Sequence, residues 1–495
     1  MSTQQAAPKA AVPAPQSKST MYYVHSLIGL AIMFGFGLLD PFQPVTPLGM
    51  KVLGTFLGLI YLWSFVEILW PSLLGMLALC MIGYAPMPVI LRKSFGDVVP
   101  ILAFFAMILF GAIQHYGVTK YISRWFLTRK IINGRPVMFS FVFMYTTYVI
   151  AALSANILPA LLFMWAVLYG VLQDVGYKRG DRYTAVMVVG TMFGAISGQA
   201  AKPFTGSALM IVSAFEKVAK MQIDYLPYML FGFITSSLGV IVYALLIKFV
   251  FRPDMSKIAN ISVERFEKDK LPPMDLRQKI YFASLFGYLG LILLPSILPK
   301  NLALVKFLTT MGPWGIVIAF VVTLCLFKID GKPVMDFKEI AGKYVIWEVY
   351  FLIAMAGVVS DALTEPTTGI NPFLTQFLNP ILGGKSPMVF AGIVAIFSMV
   401  ITQFANNAVM GVLLSPIVFA FCQQNGANPL AVATLMTFGL HVAIMTPAAS
   451  PYAAILFANK EWVDASDVTK YGGIIFCAMV LFYIVCGLPL ASVIF

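Results

Sequence analysis

With 60% hydrophobic and only 11% charged residues, and a mean hydropathy of +0.88, this chain of 495 residues is excluded from the ordinary soluble domains, where about a quarter of residues carry charge. At about 20 residues per span plus connections, its length allows on the order of ten to twelve membrane segments. The formal charge of +12 does not call for a nucleic-acid partner, because Lys and Arg cluster in particular loops in the manner of the positive-inside rule. The cysteines (Cys80, Cys325, Cys422, Cys477, Cys486) and histidines (His25, His115, His441) show no ligand spacing, so neither a disulfide framework nor a metal centre is expected.

Residues 1–20, rich in Ala, Pro, Gln and Ser, read as a disordered cytoplasmic tail. Met21 to Leu39 is long enough to span and lacks a cleavage site, so no signal peptide is expected. Leu48 to Ile68 and Trp70 to Tyr84 are two spans or half-spans, with Glu67 at their junction; Ala85 to Val99 is a loop. Pro100 to Gln114 is apolar and runs into an interfacial basic stretch, Lys120 to Arg135.

Pro136 to about Gln173 is apolar but interrupted by Ser154-Ala155-Asn156-Ile157-Leu158-Pro159. At 1.5 Å per residue each half reaches roughly 25 Å, enough to go partway into a bilayer and return. Thr184 to Phe215 is broken at Ser197 to Gly206, a segment holding Lys202, Pro203 and Thr205. A span at Leu226 to Phe251, the hydrophilic stretch Arg252 to Lys279, and spans near Ile280 to Leu298 and Gly312 to Phe327 follow, then a linker to Lys343. Tyr344 to Leu363 is a span. Pro387 to Cys422 is interrupted at Thr402 to Met410, and Pro429 to Ala458 at Thr446 to Tyr452. Tyr471 to Phe495 ends the chain in the membrane.

The second interruption holds two adjacent amides, Asn406 and Asn407. An amide in hydrocarbon is costly unless paired, so it marks a helix contact or a break that holds a polar ligand; a break is expected. The pattern recurs. Ala106-Met107 matches Ala354-Met355 (354 − 106 = 248), Ala201-Lys202-Pro203-Phe204 matches Ala449-Ser450-Pro451-Tyr452 (449 − 201 = 248), and Asn156 matches Asn407 (407 − 156 = 251). Three weak matches in one order at nearly one offset indicate an internal repeat: residues 21–251 and 280–495, joined by a cytoplasmic linker at 252–279. With the amino terminus inside and each broken run returning to its own side, about three in four of the 33 Lys and Arg residues fall on the inner face. The first hairpin then opens inward and the second outward, so the repeats are inverted.

Inverted repeats with discontinuous helices point to a secondary transporter with its site at mid-membrane. A broken helix exposes backbone N–H groups that attract anions, and irregular backbone at this depth is tolerated where it lines a cavity. Four breaks would form a small polar chamber with Asn amides and the hydroxyls of Ser154, Thr205, Ser207, Thr446 and Ser450. That chamber suits an anion bearing one or two carboxylates.

On these residues the chain resembles the divalent-anion/sodium symporter family of the ion transporter superfamily, which carries di- and tricarboxylates or sulfate. That family has two re-entrant hairpins tipped with Ser-Asn-Thr and two unwound helices with a Gly-Thr-Pro-type turn. Gln403 to Pro416 follows the hairpin pattern, with Phe404, Asn407 and Pro416 in register, and Met445 to Pro451 follows the unwound helix. In the first half Asn156 falls at the hairpin Asn and Ala201-Lys202-Pro203 at the turn. Trp63, Glu67 and Pro71 loosely echo a Trp-Glu-Pro motif. The resemblance implies an all-α polytopic membrane protein of about 11 transmembrane helices plus two re-entrant hairpins, divided into elevator-type scaffold and transport domains. It implies a homodimer in a bacterial inner membrane with its amino terminus in the cytoplasm, the lipid bilayer and a small carboxylate anion as its other partners, and no enzyme activity. The substrate-binding residues it implies are Ser154, Ala155, Asn156, Ile157, Lys202, Pro203, Thr205, Asn406, Asn407, Ala408, Thr446, Ser450 and Pro451. It implies no organic cofactor; sodium is the one ion it brings in, near Asn407, Ala449 and Ser450.

Two departures alter that expectation. The triplets here are Ala155-Asn156-Ile157 and Asn406-Asn407-Ala408, without the flanking hydroxyls, and Lys202 stands where the family's turn has a small hydroxyl residue. Lys202 is therefore expected to replace a sodium ion, and the protein to exchange one organic anion for another without obligatory sodium. A sodium-coupled dicarboxylate or sulfate symporter is the alternative. A cation/proton antiporter is more distant, since it wants an acidic residue beside the hairpin Asn. A membrane enzyme would need a nucleophile–base or metal constellation, and none is legible.

Overall fold

The computed structural model describes residues 20–154, 156–260, 272–447 and 449–495. Ala155, one of the expected site residues, lies outside the described residues. Apart from connecting turns and loops, the described residues are helical except for a two-stranded β-hairpin, β1 (Lys328–Ile329) with β2 (Lys332–Pro333). Among the described residues ten helices are long and apolar enough to cross a membrane, or eleven if the pair Ile370–Leu382 and Pro387–Ile401, bent by 106°, counts as one. The all-α polytopic class stands.

The first half runs α1 (Thr20–Gly35), α2 (Pro47–Phe65), α3 (Leu69–Met81), α4 (Met87–Phe95), α5 (Val98–His115), α6 (Val118–Leu127), α7 (Pro136–Ala152), α8 (Ile157–Asp174), α9 (Arg182–Ala200), α10 (Gly206–Ala219) and α11 (Tyr225–Leu246). The second runs α12 (Leu276–Ile297), α13 (Ala303–Leu326), α14 (Phe337–Tyr344), α15 (Trp347–Thr364), α16 (Ile370–Leu382), α17 (Pro387–Ile401), α18 (Asn407–Asn425), α19 (Pro429–Leu440), α20 (Pro451–Ala458), α21 (Ala465–Phe482) and α22 (Leu488–Ile494). One order of elements occurs twice. In α5–α11 and again in α15–α21, a span leads to a short helix, a two-armed hairpin, a broken helix and a span that ends in a π-turn, at Ile247–Phe251 and Tyr483–Gly487.

Three expectations are corrected. Ala85 to Val99 is not a loop: it holds α4, whose Ile90 and Ser94 are buried one turn apart while Arg92 stays exposed. Short amphipathic helices of this kind carry too few apolar residues to register as spans. Helix α16 lies in a stretch for which no element was expected, and Pro380 sits inside it. The span expected from Gly312 begins at Ala303, and Gly312 (φ 61°) with Pro313 bends it. Gly takes the left-handed backbone there, and Pro is compatible with the first turn of the following segment.

The core lies where the two halves meet. Helix α9 is buried along nearly its whole length, as an all-round apolar helix must be, and it packs against α7, an arm of the hairpin in its own half. Gly190, Gly194 and Gly198 repeat every four residues toward α7; a Cβ on Gly198 would lie 2.4 Å from the Tyr148 carbonyl and one on Gly194 2.5 Å from the Met144 carbonyl. Small residues at this spacing let helix backbones approach in lipid, where tight packing replaces the missing hydrophobic drive. Across the halves α10 packs against α18, and a Cβ on Gly411 would lie 2.2 Å from Ile211 Cγ1. Hairpin arm and broken helix of opposite halves are thus held in direct contact.

Candidate substrate site

Four helices begin inside the bundle instead of at its surface: α8, α10, α18 and α20. A helix start leaves backbone N–H groups without intrahelical partners, and three of the four are capped by a side chain suited to the task. Asn156 Oδ1 accepts from Leu158 N at 3.0 Å, Asn406 Oδ1 from Ala408 N at 3.0 Å, and Ser450 Oγ from Ala453 N at 3.1 Å. Asn407 Oδ1 also accepts from Ala408 N, at 2.9 Å. Thr205 precedes α10 with an extended backbone and no side-chain cap bond.

All four starts line one cavity of about 70 Å³. Asn156 comes from the first hairpin, Asn406, Asn407 and Ala408 from the second, Gly206, Ser207 and Met210 from α10, and Pro451 and Tyr452 from α20. Gln199 of α9 joins them, and Ile68, Met107, Ile346, Val349 and Leu352 close the opposite wall. No acidic residue is among these lining residues. Because the Asn carbonyl oxygens are spent on caps, their amide N–H groups remain as donors. Four electropositive helix ends, each worth up to ~2 kcal/mol to a partly buried anion, point at a space with no competing negative charge.

Lys202 is 2% exposed and stands behind the cavity wall, not in it. Its Nζ donates to the Ala151 carbonyl at 2.9 Å and to the Ser154 carbonyl. These carbonyls lie at the carboxyl end of α7, where a cation complements the helix dipole; Ala151 also accepts from Ser154 N at 3.3 Å. Pro203 is buried beside it, and Phe204 anchors the break between Phe110 and Tyr288, at ring distances of 5.6 and 5.8 Å. Tyr228 Oη donates to the Ala200 carbonyl at 2.7 Å, which satisfies the end of α9.

The second tip is held differently. Thr402 Oγ1 donates to the Leu440 carbonyl at 2.9 Å, Gln403 Nε2 donates to the carbonyls of Met399 and Val442, and Gln403 Oε1 accepts from Ile444 N and Met445 N. Thr446 donates to the Gln403 carbonyl. A neutral amide thus ties the second hairpin to its own broken helix, as an ammonium does in the first half. His441 joins the halves. Its Nδ1 lies 2.7 Å from the Thr437 carbonyl, which only accepts, so Nδ1 carries a hydrogen; its Nε2 lies 2.8 Å from Ser207 Oγ.

Of the expected site residues, Asn156, Asn406, Asn407, Ala408 and Pro451 line the cavity. Thr205 and Ser450 precede helices that start at the cavity but are not themselves among its lining residues. Ser154, Ile157, Lys202, Pro203 and Thr446 lie outside the lining set: Ser154 Oγ bonds back to the Ile150 carbonyl at 2.7 Å, and Ile157 is buried in the first turn of α8. Ala449, expected near a sodium ion, is buried beside Ser450. Gln199, Gly206, Tyr452 and the apolar wall were not expected; Tyr452 was legible only as a repeat match to Phe204.

An all-helical membrane bundle in which two hairpins and two broken helices bring their amino-terminal ends to one cavity defines a class of membrane carriers. This chain belongs to the citrate transporter family, which it matches over residues 59–439. It is similar to an uncharacterized transporter of Haemophilus influenzae (26% identical over 154 residues, 31% of this chain and 32% of that protein). It is also similar to the sodium-dependent high-affinity dicarboxylate transporter 2 of Caenorhabditis elegans (23% over 128 residues, 26% and 23%) and to human solute carrier family 13 member 1 (25% over 167 residues, 34% and 26%). In each case the matched stretch is a third of the relative's length or less. The YdaH transporter of Alcanivorax borkumensis, whose crystal structure has an unusual topology, shares the fold: TM-score 0.54 over 95% of this chain and 97% of that one, at 13% identity. The resemblance to the divalent-anion/sodium symporters read from the hairpin and turn motifs therefore stands.

Proposed function

We propose that the protein is a secondary active transporter of small organic anions, di- or tricarboxylates, and that it exchanges one anion for another without obligatory sodium. The convergence of four helix amino-terminal ends and three Asn amides on one cavity carries this reading: it offers donors and positive dipole to carboxylates and no acidic side chain to a cation. Lys202 supports the sodium-independent form. Its ammonium bonds the Ala151 and Ser154 carbonyls, which are the kind of hard oxygen ligands a sodium ion would otherwise take. On this reading the two halves have inverted topology, the amino terminus is cytoplasmic, and the protein works as a homodimer. The hairpins and broken helices then form a transport body that carries the site across the membrane against a scaffold, in the manner of an elevator.

A sodium-coupled symporter is the second reading, and one observation favours it. In the second half Ser450, not a lysine, occupies the position matching Lys202 (450 − 202 = 248), which leaves that half without a built-in cation. Counterflow of a panel of labelled di- and tricarboxylates and sulfate in proteoliposomes separates the two. Exchange should require internal anion and proceed in choline; uptake driven by a sodium gradient into vesicles holding no anion would reverse the assignment.

A further inference from the structure

Most polar side chains around the cavity are engaged by the protein itself. The Asn and Ser caps accept from backbone N–H groups, and Ser207 meets His441. Two atoms differ. Gln199 Oε1 and Thr205 Oγ1 are buried and have no partner among the described residues. Gln199 is 3% exposed and lines the cavity from the last turn of α9; its Nε2 donates to Tyr452 Oη across the two halves at 3.3 Å. Gly206, in the left-handed region (φ 62°), leaves room for that side chain: a Cβ there would come within 3.1 Å of Gln199 Nε2.

These two atoms break the symmetry of the site. Ser450, which precedes α20 as Thr205 precedes α10, spends its hydroxyl on a cap, and the residue at the place of Gln199 in α19, one before its last, is Gly439, which has no side chain. A symmetric dicarboxylate would be served by the helix ends and would leave Gln199 Oε1 unpaired. A carboxylate offers that atom only another acceptor. A hydroxyl offers it a donor.

We propose that Gln199 is a specificity-determining residue: its Oε1 accepts a hydrogen bond from a hydroxyl group on the bound acid, so the carrier selects hydroxylated carboxylic acids over the same skeletons without the hydroxyl. This rests on the cavity being the anion site. Tyr452 is the positioning residue: its hydroxyl accepts from the amide nitrogen and so fixes the orientation of the side chain. An acid lacking the hydroxyl leaves a buried acceptor unmatched, which corresponds to about a ten- to hundredfold weaker half-saturation.

The test compares matched pairs, malate with succinate and citrate with tricarballylate, as competitors of labelled-anion counterflow in proteoliposomes of the full chain. Wild type should favour the hydroxylated member at least about tenfold, and the ratio should fall toward one in Gln199→Met. If that variant does not fold, Gln199→Asn, which withdraws the amide by one methylene, must lower the ratio. A wild type that treats the pairs alike, or a folded Gln199→Met that keeps the full preference, overturns the assignment and leaves anion transport standing. A wild type that exchanges no carboxylate overturns the transport reading and this assignment with it.

Discussion

Replacing Lys202 tests the proposed mechanism most directly. In Lys202→Met the Ser154 carbonyl loses the lysine donor, and the Ala151 carbonyl keeps the 3.3 Å bond from Ser154 N. Two hydrogen bonds to a charged group are worth about 3–6 kcal/mol. Removing the ammonium also removes its own burial cost, about 2.5–3.5 kcal/mol on insertion scales. At the midpoints of these ranges the net loss at the first hairpin tip is about 1.5 kcal/mol, or about one decade in the population of the closed tip at about 1.4 kcal/mol per decade. Exchange should fall by a similar factor. Lys202→Ser restores a small hydroxyl residue and opens the same carbonyls to a sodium ion. At ten times its Kd, sodium would return about 1.4 kcal/mol, so that variant should be slow in choline and about tenfold faster in sodium. Counterflow in the two salts, with thermal unfolding in detergent to confirm folding, reads both variants. A Lys202→Met protein that exchanges at the wild-type rate, or a folded Lys202→Ser protein indifferent to sodium, would refute the idea that this ammonium occupies a cation site.

Asn407→Ala should raise the half-saturating anion concentration about tenfold, through the lost amide donor and about 1 kcal/mol of capping. Asn407→Asp, which sets a carboxylate against the substrate, should abolish exchange; competition binding distinguishes the two variants. Gly411→Val should lower the thermal midpoint and cripple transport, because even its Cβ overlaps Ile211, and overpacking of this kind costs about 1–3 kcal/mol or more. Lys217, on α10, lies 3.4 Å from Asp97 and 3.2 Å from Asp361 and thereby links α10 to α5 and α15. Asp361 also lies 3.5 Å from Lys93, so a charge swap would set like charges together; these groups are partly exposed, and Lys217→Met should change the unfolding midpoint little while slowing exchange. A Lys217→Met protein that exchanges at the wild-type rate would remove the ion pair from the transport cycle.

What the sequence disclosed follows from what hydrocarbon does to polar groups. Asn156 and Asn407 stood out because an amide inside an apolar run demands a reason, and the structure brings both to one cavity. The Pro-flanked breaks were legible for the same cause. Depth and direction were not. Lys202 reads as a site residue from its place in the turn, yet its side chain runs behind the tip to the carbonyls of α7; only the backbone path of the hairpin decides that. Gln199 lies within the break legible at Ser197 to Gly206, but its amide nitrogen meets Tyr452, 253 positions away in the chain, and its unpartnered carbonyl is a property of the folded neighbourhood. Helices α4 and α16 escaped notice because their polar faces dilute a hydropathy signal tuned to spans.

The degenerate hairpin triplets make sense once the tips are compared. Hydroxyls flanking the Asn would brace each tip; here the bracing has moved to neighbouring positions. Lys202 ties the first tip to the first break, and Thr402 and Gln403 tie the second tip to the second break. Ser207 with His441 and Gln199 with Tyr452 then lace one half to the other. Swinging either hairpin alone would strand several buried donors and acceptors at membrane depth, at about 1–3 kcal/mol each. Moving the hairpins, breaks and cavity as one body strands none of these, because every partner travels with it. The bond network therefore favours displacement of the whole laced unit over a local flap. A cysteine pair engineered to lock the second tip to α19 should leave exchange intact, whereas one locking α10 to α15 should stop it. The reverse pattern would mean that the tip itself is the gate.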